Sequence, residues 1–362
     1  MTEQRSVTPG RQRQRQPRIW IDLASPSHPT FFKGIADGLD LPQVVTARDK
    51  TETVPLAREA GFEFTVRGRD FDNEWLRTVG VPLRTIQLAA CTPEADISLS
   101  ARNAMCVLAS KAHGVPSIHY TDNDVTYYQE TPLVEEGFNY FRAMATRHVV
   151  PEAFQQAELT EYGAGPSTIH TYDGYKEDVG VANFEPDGSF TDKLPFGDRE
   201  YVVVRPEAMG AAYVDIEESL VPELLEGIVD AGLNAVYLPR RARDRAYADR
   251  YDADRVFAPD RPLDGLQLAW HSRAVLTGSG TMAREAASMG KPAVSFFPHT
   301  MLSVDQRLVA EGHVFHSRDA DAVVDYLTGL DADAVSPDRT RARRTRDEIV
   351  EITESIIDEV TQ

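Results

Sequence analysis

Apolar residues in this chain fall into short runs, and between the runs they recur at the three- and four-residue spacing of one helix face. The first half predicts strands at 18–23, 42–47, 63–68, 95–100, 116–121, 147–151 and 167–171, with helices beginning near 28, 51, 73, 103, 127 and 152. A second set predicts strands at 201–205, 234–238, 255–258, 274–277, 293–297 and 313–316, with helices over 217–231, 262–271, 281–289, 304–311 and 319–329. Strands separated by helix-length stretches imply parallel sheets with covering helices, an α/β fold of two doubly wound, Rossmann-type domains. Residues 73–91 are read as a helix that Pro82 must bend. Residues 183–200 are polar, carry prolines and lack periodicity, so they are read as a linker between domains at 18–182 and 201–335. Residues 1–17 read as a disordered basic arm, and 336–362 as a closing segment with Ile349, Ile352, Ile356, Ile357 and Val360 on one helix face.

The stretch 274–298 is the richest in chemistry. An apolar run at Ala274–Leu276 breaks at Thr277-Gly278-Ser279-Gly280, a helix follows over 281–289, and Gly290-Lys291-Pro292 leads into another apolar run. Strand, small-residue turn and helix leave unpaired amides and the positive end of a helix at one spot, which suits a phosphate held by Gly278, Ser279, Gly280, Thr281 and Met282. Glu285 stands one turn in, where a carboxylate can take ribose hydroxyls.

Composition narrows the classes. The chain has 362 residues, enough for two domains, and 42% hydrophobic content, enough for a core in each. No window approaches the ~18 consecutive apolar residues that span a bilayer, and the basic start lacks a signal-peptide core. A cytoplasmic protein with at most peripheral membrane contact is expected. Formal net charge is −19, from 57 acidic and 38 basic residues, and among the basic ones only Lys33, Lys50, Lys111, Lys176, Lys193 and Lys291 are lysine. Acidic excess with scarce lysine suits a salt-rich, halophilic cytosol, where ~1 M ions shrink screening to about 3 Å. It argues against a nucleic-acid partner. Cys91 and Cys106 are the only cysteines, with no ligand spacing, so no metal is expected and both are placed on apolar helix faces.

Ligands of open parallel sheets sit beyond the carboxyl ends of strands, so polar residues just past predicted strands are candidates. Asp22 and His28 flank the first such turn, as base or base and orienting partner. Asp122 and Asn123, in Thr121-Asp122-Asn123-Asp124, could face an acceptor or cap a helix. Arg205 ends the first strand of the second set, where a guanidinium can pair with phosphate. His299 follows Phe296-Phe297-Pro298. Arg284, inside the helix after the turn, is read as a charge balance for Glu285.

Ser279, Gly280, Glu285, Ala286, Gly290, Lys291 and Pro292 resemble the donor-binding motif of two-domain GT-B glycosyltransferases. They also resemble the Ser-Gly-Gly…Glu-Ala…Gly-Lys-Pro stretch of non-hydrolysing UDP-N-acetylglucosamine 2-epimerases, with Thr281 at the second glycine. Ile19-Trp20-Ile21-Asp22, Pro26, His28 and Phe31-Phe32-Lys33 are similar to the opening of the DUF354 family. The resemblance implies a GT-B-like fold whose two domains face a cleft and whose last helix crosses back to the first domain. It implies that the turn holds a nucleotide diphosphate, that Glu285 holds ribose, and that His299, Asp305 and Gln306 face the sugar. The expected activity is transfer from a nucleotide-diphosphate sugar to a hydroxyl acceptor, lipid-linked acceptors included, with no cofactor or divalent cation. A sugar-nucleotide 2-epimerase is the rival, although Asp22–Pro29 replaces that group's Gly-Thr-Arg-Pro-Glu-like loop. A non-catalytic nucleotide-sugar binding protein is the other.

Overall fold

The computed structural model describes residues 15–50, 52–69, 83–129, 133–197, 199–209, 216, 218–331 and 336–361. The basic arm up to residue 14 and most of the bent helix expected at 73–91 lie outside the described residues.

The first sheet is wholly parallel, in the order β3-β2-β1-β4-β5-β6-β7. Its strands are β1 (Ile19–Leu23), β2 (Gln43–Asp49), β3 (Phe64–Arg69), β4 (Ile97–Ala101), β5 (Ser117–Tyr120), β6 (Arg147–Pro151) and β7 (Ile169–Tyr172). Between them run α1 (His28–Leu39), α2 (Thr53–Glu59), a helical stretch at 83–90 (α3), α4 (Ala104–Ala112), α5 (Val125–Tyr128), α6 (Leu133–Arg142) and α7 (Ala157–Thr160). After β7 comes α8 (Lys176–Asn183). Helices cover both faces, and the central strands accordingly read as unbroken apolar runs; every residue of β1 and β4 is buried.

The second sheet is also parallel, in the order β10-β9-β8-β11-β12-β13. It contains β8 (Tyr201–Arg205), β9 (Asn234–Tyr237), β10 (Val256–Phe257), β11 (Ala274–Thr277), β12 (Ala293–Ser295) and β13 (Val314–His316). Its helices are α9 (Val221–Asp230), α10 (Gly265–His271), α11 (Gly280–Ser288), α12 (Ser303–Ala310) and α13 (Ala320–Gly329). The two parallel-sheet domains are those the alternating pattern predicts.

Three segments differ from the periodicity. The helix expected from residue 127 is split into α5 and α6, and the one expected from 152 shrinks to the single turn of α7. Helix α8 was not anticipated, because Gly180 and mixed polarity hide its buried face. The polar stretch read as a linker is packed: Phe184, Phe190, Leu194 and Phe196 enter the core around β8, β11 and α11. Their contacts come from turns and a short 3-10 segment, which have no period to detect.

The last helix, α14 (Thr340–Thr361), crosses back as expected. Ala342 belongs to the second-sheet core, whereas Ile349, Val350, Ile356 and Ile357 complete the core of the first. Tyr120 on β5 and Thr353 on α14 share a buried hydrogen bond of 2.8 Å between their hydroxyls. Helices α1 and α8 also approach closely. A Cβ on Gly34 of α1 would stand 2.5 Å from Val179 Cγ1 and 3.1 Å from the Val179 carbonyl on α8. Gly34→Ala should therefore destabilise the fold by ~1–3 kcal/mol through overpacking. A denaturant midpoint equal to that of the unmodified protein would show that α1 and α8 are not locked together.

Candidate functional site

In each sheet the strand order reverses at one place, between β1 and β4 and between β8 and β11, and loops leaving those strands diverge to make a crevice. A cavity of about 470 Å³ is lined by the β11–α11 turn together with Arg284, Asp305 and, from the first domain, Asp122, Asn123 and Lys176. A second cavity, of about 430 Å³, lies at the first-sheet crevice and is lined by the loops after β1 and β4. Arg102, Asp122, Asn123, Glu135, Arg142 and Lys176 line both. The two spaces therefore share a wall.

The turn is built by close approach. A Cβ on Gly278 would lie 2.7 Å from the Glu207 backbone nitrogen, so β11 can pass the loop after β8 only with glycine there. Thr277 Oγ1 accepts from the Ser279 amide at 3.1 Å, and Ser279, in extended backbone, holds the N-cap position of α11 without a side-chain bond to its amides. The first-turn amides of α11 have no intrahelical acceptor, and Gly278, Ser279, Gly280 and Thr281 line the larger cavity. Met282 differs from these four: it does not line the cavity, and its side chain packs against the second core.

Arg284, four residues after Gly280, stands over that turn and is the centre of the site. Its Nε and Nη2 donate to Asp305 Oδ1 and Oδ2 at 2.7 and 2.8 Å, and its Nη1 donates to Asp122 Oδ2 at 2.7 Å. Lys176 Nζ donates to both oxygens of Asp122 at 3.0 and 3.1 Å. One guanidinium thus ties β5's loop to α11 and α12. Burial opposes ionisation of Asp122, but Lys176 and Arg284 hold its pKa down at about 2. Two further carboxyls crowd this pair of cations, and burial pushes Glu177 upward and Glu285 up to about 8. Glu285 lies one turn into α11 as expected and is partly buried, but it lines neither cavity.

The first-domain candidates need correction. Asp22 is fully buried; it accepts from Arg84 Nη2 at 2.9 Å on both oxygens, from Thr46 Oγ1 at 2.5 Å and from Asn103 Nδ2 at 2.6 Å. A carboxylate so saturated anchors β1 to β2, α3 and α4, and is not a base. His28 lines the smaller cavity. Its Nδ1 accepts the Ala24 amide at 3.1 Å, which leaves the proton on Nε2. Burial and the positive charges of Lys176, Arg84 and Lys50 pull its pKa down to about 3. It is a neutral hydrogen-bond donor at the cavity wall rather than a proton acceptor. Asn123 lines both cavities while its Oδ1 caps α5 through the Val125 amide at 3.2 Å.

In the second domain, Asp305 lines the larger cavity, but Arg284 holds both its oxygens. Gln306 is exposed and its Nε2 donates to the Met301 carbonyl, so it does not face the sugar space as expected. His299 packs edge-on against Phe297, and Phe297, not His299, lines the cavity. Arg205 at the end of β8 lines neither cavity, and burial lowers its pKa against the opposing effect of Glu285 and Glu52. Cys106 is buried on α4 as expected, whereas Cys91 is exposed.

Sequence reasoning undervalued Arg284 and overlooked Lys176, Arg102, Glu135 and Arg142. A signal existed for Arg284: it lies one helical turn beyond Gly280, on the face of the turn. Among the described residues no group of three or more His, Cys, Asp or Glu could hold a metal ion, and no helix is long and apolar enough to cross a membrane.

Asp22→Asn removes the counter-charge of buried Arg84 and should cost ~3–5 kcal/mol, read from the denaturant midpoint; a cost near zero would return Asp22 to the list of bases. For Glu285 the folded pKa exceeds the unfolded 4.5, so the folded state binds the extra proton and its advantage is complete below about 4.5. Stability should therefore fall as pH rises from about 4.5 through about 8, and Glu285→Gln should flatten that slope in thermal melts.

Comparison with known proteins gives this geometry its setting. A 23% identical relative, the uncharacterized protein MJ0665 of Methanocaldococcus jannaschii, aligns over 327 residues, 85% of this chain and 90% of that one. The MnaA–UDP structure from S. aureus superposes with TM-score 0.71 at 16% identity, covering 96% of this chain and 98% of that one. UDP-GlcNAc 2-epimerase from Methanocaldococcus jannaschii gives 0.70 at 12% identity, over 93% and 99% of the two chains. The glycotransferase of kitacinnamycin gives 0.61 at 14% identity, over 96% and 100%. At such identities the likeness is one of fold, the GT-B-like pairing of two parallel-sheet domains. The model of the family described as protein of unknown function DUF354 matches residues 17–361, and the chain belongs to that family.

Proposed function

We propose that the protein transfers a glycosyl group from a nucleotide-diphosphate sugar to a hydroxyl acceptor, the donor in the larger cavity and the acceptor in the smaller. The observation that carries this reading is the pair of adjoining cavities with a common wall, one of them opening on the first turn of α11. A second space beside the donor cavity suits a second substrate. Structural neighbours described as bound to UDP or UDP-GlcNAc support the donor class.

In this reading the α11 amides take the diphosphate, and Lys176 and Arg284 offset the charge that develops as it leaves, without a divalent cation. Glu285 hydrogen-bonds ribose hydroxyls. With Asp22 and His28 unsuited to the task, the acceptor proton passes to a carboxylate of the common wall. Glu135 lines both cavities and its side chain keeps 28% exposure, against 9% for Asp122, so it is the more accessible acceptor. Arg102 and Arg142 hold its pKa low against the opposing effect of burial, which suits a base that acts late, once the bond to the leaving group has opened.

The 2-epimerase reading keeps one specific support: three solved neighbours with TM-scores of 0.70 to 0.71 carry that name. Product analysis separates the readings. Incubation with UDP-GlcNAc and other nucleotide sugars should release nucleotide only when a hydroxyl acceptor is present, and release should persist with a chelator. A new sugar epimer without acceptor would establish the isomerase, and binding with neither product a binding protein. Glu135→Gln should lower turnover ~10²–10⁴-fold with nucleotide affinity intact, whereas Glu285→Ala should weaken nucleotide binding roughly tenfold or more. Wild-type turnover in the Glu135 variant would remove it from the mechanism.

A further inference from the structure

Glu135, the proposed base, is held by one oxygen only. Arg102 Nη2 and Arg142 Nη1 both donate to Oε1, at 2.7 and 2.9 Å, and among the described residues no hydrogen bond reaches Oε2. A guanidinium beside a carboxylate commonly grips both oxygens with its fork. Had either arginine done so here, Oε2 would be occupied and the carboxylate a weaker proton acceptor.

Asn139, one helical turn beyond Glu135 on α6, accounts for the geometry. Its Oδ1 accepts from the same Arg142 Nη1 at 2.6 Å, so that nitrogen is shared between two acceptors. The amide cannot be reversed. Arg142 only donates, so the amide oxygen must face it. The other end is engaged as well: Nδ2 donates to Glu158 Oε1 at 2.9 Å and to Thr126 Oγ1 at 2.7 Å. Glu158 is fixed in turn, because its Oε2 accepts the Tyr127 amide of α5 at 2.9 Å. Asn139 is 2% exposed, and every polar atom of its side chain is bonded.

Arg142 itself is 8% exposed and lies over the Phe138 ring, 5.7 Å from its centroid. Its Nε has no hydrogen-bond partner. An idle buried donor costs free energy, so the guanidinium does not sit where its own bonding would be best. The other titratable groups around this pair are Arg102 past β4, His119 on β5, Asp122 past β5, Lys176 on α8 and Glu158 on α7. Burial, His148 and the two arginines hold the His119 pKa well below its ordinary value, so it stays neutral.

We infer that Asn139 is a positioning residue: by sharing Arg142 Nη1 it keeps that guanidinium from gripping both oxygens of Glu135, and so leaves Oε2 open to the acceptor hydroxyl. The inference rests on the transferase reading for the role of Glu135, while the placement of Arg142 stands apart from that reading. Without the Asn139 carbonyl, Arg142 turns its fork onto Glu135. The carboxylate stays in place, yet both its oxygens are taken and its basicity falls.

Asn139→Leu removes the polar atoms at similar volume. Crystal structures of the unmodified chain and of this variant should differ at Arg142, which in the variant spans Oε1 and Oε2. With UDP-GlcNAc as donor and methyl glucoside as hydroxyl acceptor, kcat should fall at least about tenfold and KM for UDP-GlcNAc stay within about twofold. The acid limb of the kcat profile should move to lower pH, whereas a substitution that merely loosened α6 would leave it in place. Asn139→Ser, too short to reach Arg142 but able to bond Glu158, supplies the same measurements if the leucine variant does not fold. With Arg142→Met already present, the Asn139 substitution should change kcat by less than about twofold. If the unmodified protein turns over no nucleotide sugar, the transferase reading fails and the crystal structures alone decide the role of Asn139. Arg142 still bound to Oε1 alone in the variant, or an undiminished Asn139 effect beside Arg142→Met, overturns the inference.

Discussion

The Arg284 guanidinium is the contact on which the architecture of the cleft turns. It is buried, it reaches carboxylates from both domains, and the turn that would hold a diphosphate lies one helical turn before it on the same helix. A buried cation is costly unless paired and hydrogen-bonded. Asp305 and Asp122 therefore have to be where they are, and the position of one domain relative to the other is partly a consequence of satisfying one side chain. Smaller contacts follow the same line: the Ser303 amide donates to Asp124 at 3.3 Å and the hydroxyls of Tyr128 and Ser303 meet at 2.9 Å.

The lining of the cleft differs in charge from the chain as a whole. The acidic excess lies over the chain as a whole, whereas the cleft concentrates arginine and lysine at the carboxyl ends of both sheets. Salt screens exposed charges over a few ångströms at high concentration but reaches buried pairs far less. Burial raises the pKa values of Glu285 and Glu177, opposing their ionisation beside the cations of the cleft.

The strands were legible because both faces of each sheet are covered, which writes continuous apolar runs such as Ile19–Leu23 and Tyr201–Val204 into the chain. The turn at Thr277–Gly280 was legible because small residues between a strand and a helix have few other uses. What the residues at the strand ends do was not legible. Asp22 reads equally as a base or as an anchor, and the choice is made by Arg84, 62 positions away on a helix from another loop. Glu135 and Arg142 carry no motif, and their meaning comes from Arg102, which reaches them from a different strand. Pairings of this kind depend on tertiary distance, and spacing along the chain does not encode them.

Helix α14 has a consequence for biosynthesis. Ile349, Ile356 and Ile357 fill the core of a sheet whose last strand ends at Tyr172. Domains ordinarily fold in the order in which the ribosome releases them. Here the earlier domain must wait, incompletely packed, until the whole of the later one has emerged and carried α14 back to it.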